Sequence, residues 1–157
     1  MVIAVGVVGF LAGLAAITGL TVRDLLGSDD DPVRGQAFGE ILSPERAERV
    51  IGSFEAEGTL SGIPQDHHVW LAVQIGNLHF PKEPEIPSQD RHWAQEVVGA
   101  GVPAGVRFAL ALLMVDAEGH RVIEAWFERG RSGEGFPGLA TIPGSVKLDV
   151  VRELVLD

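Results

Sequence analysis

The sequence predicts a mainly β fold, a sandwich with one inserted α-helix, preceded by a single transmembrane helix. Three observations carry that expectation. Met1 to Val22 contain no charged side chain. Beyond Gly52 the chain repeatedly alternates apolar and polar residues, the pattern of half-buried strands. One stretch alone, about residues 119–129, switches to helical period, with Ile123, Trp126 and Phe127 on one stripe.

Val2 to Thr21 is the first element. At ~1.5 Å rise per residue, a helix of this length crosses a ~30 Å hydrocarbon core. A cleaved signal peptide would carry a basic region before a shorter apolar core, and nothing basic precedes Val2. A buried helix of a soluble domain would keep a polar face, and this run offers only Thr18 and Thr21. A retained membrane helix over residues 1–22 fits both criteria best, with residues 2–21 in contact with lipid. Gly9 and Gly13 form a GxxxG pair, which lets two helices approach closely in lipid. Arg23 and Arg34 follow the helix, and the positive-inside rule therefore points to a cytoplasmic C-terminal domain on a single-pass membrane protein.

Residues 23–42 read as an acidic flexible linker, because Gly27-Ser28-Asp29-Asp30-Asp31-Pro32 is turn-prone and without apolar period. The folded domain is expected over 43–157. Ser43-Pro44-Glu45 suggests an N-cap with proline at N1, opening a short helix or turn that ends near Gly52. Phe54 to Leu60 alternates as a strand. In His68 to Ile75, Val69, Leu71, Val73 and Ile75 face one way, and Trp70, Ala72 and Gln74 the other. Leu78 to Pro81 reads as a short extended piece broken by proline, followed by an irregular stretch to Asp90. Trp93 to Val98 is a further short strand. Phe108 to Val115 is apolar throughout, as expected of a central strand covered on both faces. The helix follows, with Gly130 at C′, its stripe expected to dock on the sheet holding Phe108 to Val115, near Pro137-Gly138-Leu139. Arg131 to Gly144 is a loop, and Val146, Leu148 and Val150 open a last strand.

The formal charge of −10 falls entirely after Val22, which argues against nucleic acid as a partner. The absence of cysteine excludes a disulfide framework, a thiolate zinc site and a thiol nucleophile. No serine lies in a GxSxG elbow, so no catalytic residue and no cofactor is assigned. For the histidines, adjacent His67 and His68 point to opposite faces of a strand. A set of His68, His79, His92 and a glutamate lacks tight ligand spacing, so no metal is expected. Trp70, Phe80 and Trp93 come from neighbouring extended segments and could form a surface platform for a sugar ring or a peptide. The competing reading is that both tryptophans belong to the core.

Gly58-Thr59-Leu60-Ser61-Gly62-Ile63-Pro64, His67-His68-Val69-Trp70-Leu71-Ala72-Val73-Gln74 and Phe80-Pro81-Lys82 together resemble an uncharacterised bacterial, actinobacterial-type module. The strand at Trp93, Phe108 to Val115, the turn Asp116–Gly119, the helix and Pro137-Gly138-Leu139 with Ile142-Pro143 resemble its second half. The resemblance implies an immunoglobulin-like β-sandwich attached to a membrane helix, with a binding role and no known chemistry. The chain departs from that module at Phe80, where tyrosine is preferred, and at Lys82, where glutamine is preferred. The expected function is a membrane-anchored, non-enzymatic protein-interaction module whose protein partner is unknown. The alternative is a module that binds a glycan or peptide ligand in the cell envelope.

Overall fold

A computed structural model describes residues 36–98 and 101–157. The apolar segment with Gly9 and Gly13, and most of the expected linker, lie outside the described residues. Among the described residues no helix is long and apolar enough to cross a membrane.

The described residues form strands β1 (Phe38–Ser43), β2 (Arg49–Val50), β3 (Phe54–Ser61), β4 (His68–Ile75), β5 (Leu78–Ile86), β6 (His92–Val97), β7 (Arg107–Val115), helix α1 (Ala117–Arg129) and β8 (Val146–Leu156). They build two sheets, β1-β3-β6 and β2-β8-β7-β4-β5. Neighbours pair antiparallel, except that the two-residue β2 runs parallel to β8.

Alternation along the strands sorts the side chains into two buried clusters. Ala56, Leu60, Trp93 and Val97 of the smaller sheet share one with Val69, Leu71, Val73, Leu110, Leu112 and Leu154 of the larger. On the other face of the larger sheet, Trp70, Ala72, Ala111, Leu113 and Val115 pack with Ile123, Trp126 and Phe127 of α1. β7 contributes to both clusters, and this explains why Phe108 to Val115 has no polar position. The helix stripe docks where the sequence places it: the Trp126 indole N–H donates to the Pro137 carbonyl at 2.6 Å.

Asp116 starts the helix. Its carboxylate accepts from the backbone N–H of Glu118 and Gly119 at 3.0 and 2.9 Å. Such a cap is worth about 1 kcal/mol. It moves the helix start to Ala117, ahead of the expected residue 119.

Several expectations are corrected. The expected linker over 23–42 gives way at its end to β1, Phe38–Ser43. Of the helix or turn expected after Ser43-Pro44, the turn is found, and it leads into β2 before Gly52. Ala47 stands in the left-handed region at φ +62° and donates its N–H to the Arg152 carbonyl, which ties it to β8. β5 is one continuous strand through Pro81 and Pro84, where a break was expected. It lies at the edge of its sheet, and there a missing N–H need not interrupt a ladder. Gly130 is not a left-handed cap: it keeps helical angles of −59° and −43°, and the chain continues into a π-type turn, Gly130–Glu134. Glycine is required there by space, because an added Cβ would lie 1.9 Å from the Phe136 ring.

Candidate functional site

The structure does not bring Trp70, Phe80 and Trp93 to one surface. Trp70 is buried under α1 on the outer face of the larger sheet. Trp93 is buried between the sheets, paired across from Gly58. Phe80, half-buried at the sheet edge, packs against both clusters and also lines a groove.

That groove has a volume of about 400 Å³. Phe80, Pro81, Lys82 and Glu83 of β5 form one wall, Glu96 and Val98 at the end of β6 another, and Trp126, Phe127 and Phe136 a third. Trp126 touches both other rings of its wall, with centroids 4.9 Å from Phe127 and 4.9 Å from Phe136, which lie 6.5 Å from each other. Arg131 bridges the third wall to the first, ion-paired with Glu83 while its guanidinium lies 5.7 Å from the Phe127 ring centroid. Burial lowers the pKa of Lys82 from its ordinary value. Apolar surface remains open at the rim, where Phe136 is 49% and Val98 66% exposed. A groove of this size and lining can accept an apolar side chain or a short peptide segment.

A second constellation meets at Glu85, two residues beyond Glu83 on β5. His68 Nδ1 lies 2.7 Å from one oxygen of Glu85, and His120 Nδ1 lies 3.8 Å from the other. The two imidazoles stack, with centroids 3.6 Å apart and planes 9° from parallel. Strand pairing accounts for the meeting. His68 opens β4 opposite Val115 at the end of β7, and α1 begins two residues later, which sets its first turn above His68. Of the histidines weighed with His68 from the sequence, His79 is bonded elsewhere and His92 lies in the smaller sheet.

His79 is held differently. Its Nδ1 lies 3.3 Å from the Leu139 carbonyl, an acceptor, while Nε2 is buried without a partner. Burial lowers its pKa from the ordinary 6.5. The unfolded chain therefore binds the proton first, so folding stability is unaffected above about pH 6.5 and declines as pH falls below it. We expect His79→Gln to flatten that decline, measured as the urea midpoint at successive pH values. An unchanged slope would show that His79 does not contribute to it.

No protein-family profile, curated protein or solved structure matches this chain.

Proposed function

We propose that the chain is a membrane-anchored, non-enzymatic protein-interaction module, held by residues 2–21 and binding its partner in the groove beside Phe136. The observation that carries this reading is the open apolar rim of Phe136 and Val98 on a groove also lined by Phe80, Trp126 and Phe127. Isolated exposed apolar residues are ordinary, but two on one groove mark a surface suited to contact. The occupant that fits is a segment of a partner protein carrying an apolar side chain next to basic residues. Glu96 is exposed, and the chain carries −10 overall, so a basic flank is complementary on that wall, opposite the one that carries Lys82 and the paired Glu83.

An immunoglobulin-like sandwich is supported by the strand order: β1-β3-β6 has the A-B-E arrangement, and β5-β4-β7-β8 corresponds to C′-C-F-G. In this reading α1 is inserted between the F and G strands. The chain lacks that fold's inter-sheet disulfide, having no cysteine, and its strand-C tryptophan, Trp70, faces the helix.

The test is binding of the full chain to an array of peptides and to an array of oligosaccharides. We expect apolar-basic peptides to bind, with at least a tenfold loss in Phe136→Asp and none in Ile51→Asp, an exposed apolar site outside the groove lining. Peptide binding insensitive to Phe136→Asp, or binding of oligosaccharides alone, would overturn the proposal.

A further inference from the structure

We infer that His68, Glu85 and His120 form a site for a divalent transition-metal ion such as Zn²⁺, which clips α1 to the larger sheet. The inference stands apart from the groove and does not depend on it. Each residue comes from a different element: His68 from β4, Glu85 from β5 and His120 from the first turn of α1. One donor atom from each lies within 4.8 Å of the others. A tetrahedral ion with bonds of ~2.1 Å holds its donors ~3.4 Å apart, so small side-chain adjustments bring the three to coordination distance.

The surroundings favour an ion at this point. The stack turns both Nδ1 atoms toward the one carboxylate, at 2.7 and 3.8 Å from its two oxygens. On the far side of His120, Nε2 lies 3.4 Å from Glu124 Oε1, four residues along the same helix. A carboxylate on the remote nitrogen holds the N–H there and leaves the Nδ1 lone pair for an ion, the usual outer arrangement of metal-bound histidine. The donor set selects the ion. Two imidazoles and one carboxylate suit zinc and its neighbours, whereas calcium and magnesium need more oxygen ligands than this cluster supplies.

Two consequences are measurable. The Nδ1 of His120 accepts a hydrogen bond from the Trp70 indole at 3.3 Å, and an ion that takes this lone pair removes the indole's partner. Parallel lone pairs must also converge on the ion, which turns the rings out of their stack. Because the ion binds the folded state and bridges three elements, it raises the thermal midpoint.

The experiment uses the full chain freed of metal by chelation, then titrated with ZnCl₂ or MgCl₂ while tryptophan emission and the thermal midpoint are recorded. The expected result is saturation at one equivalent of Zn²⁺ with a changed emission and a raised midpoint, and no response to Mg²⁺. Zinc affinity should fall at least tenfold in His68→Gln and in Glu85→Gln, and stay unchanged in His92→Gln. His68 is half-buried at a strand start, so His68→Gln keeps the test valid should Glu85→Gln fail to fold. No saturable zinc binding by the unmodified chain, or equal affinity in His68→Gln, would overturn the inference.

Discussion

Trp126→Ala should lower the thermal midpoint of the chain by about 10 °C. Trp126 is 3% exposed, and its ring packs on both Phe127 and Phe136 while its N–H donates to the Pro137 carbonyl. Removing a buried indole costs ~3–5 kcal/mol, and at this chain length each kcal/mol moves the midpoint by roughly 2–4 °C. The loss has two parts, the cavity under α1 and an orphaned carbonyl in the segment that carries Phe136. A scanning melt followed by circular dichroism reads the effect. A mutant that melts like the parent would mean that the helix layer adds little to stability.

The second large effect is expected at Gly58. This glycine lies in the middle strand of the smaller sheet, and the Trp93 indole packs directly on its backbone. A Cβ there would fall 2.1 Å from the Glu40 carbonyl oxygen and 2.4 Å from the indole. Neither can yield easily, since one belongs to the β1 ladder and the other is buried between the sheets. Gly58→Val should therefore cost about 3 kcal/mol, the upper range for overpacking, or prevent the smaller sheet from closing. Equilibrium urea unfolding measures this. A midpoint close to the parent's would show that β1 and Trp93 are more loosely held than their contacts indicate.

Strands whose side chains separate cleanly by face were legible in the sequence. β4 was delimited to the residue because Val69, Leu71 and Val73 serve one cluster while Trp70 and Ala72 serve the other. β7 was legible as a central strand because both its faces are covered. β5 was not, because Pro81 and Pro84 imitate a loop, and only its edge position reconciles them with a strand. β1 was hidden by its acidic approach and by Gly39, where an added Cβ would fall 2.7 Å from the Leu112 side chain. The helix was recognised by its stripe, but its N-terminus depended on the Asp116 cap, which reads equally well as a turn.

The sites were less legible than the strands. Alternation already set Trp70 opposite to Val69, yet nothing local said that a helix would cover that face. Phe80 was identified, but its groove partners Trp126 and Phe136 reach it only through the docking of α1 and the turn after it. The His68, Glu85 and His120 cluster depends on strand register: His68 pairs opposite Val115 and Glu85 lies on the adjacent β5. No spacing motif records that meeting.

The proposed binding groove is tested most directly by nuclear magnetic resonance of the labelled chain, titrated with an apolar-basic peptide that it binds. Shifts concentrated at Phe80 to Glu83, at Glu96 and Val98, and at Trp126, Phe127 and Phe136 are the expected result. They should vanish in Phe136→Asp. Shifts concentrated instead on Arg107, Arg152 and Glu153, which line a separate surface depression, would contradict it.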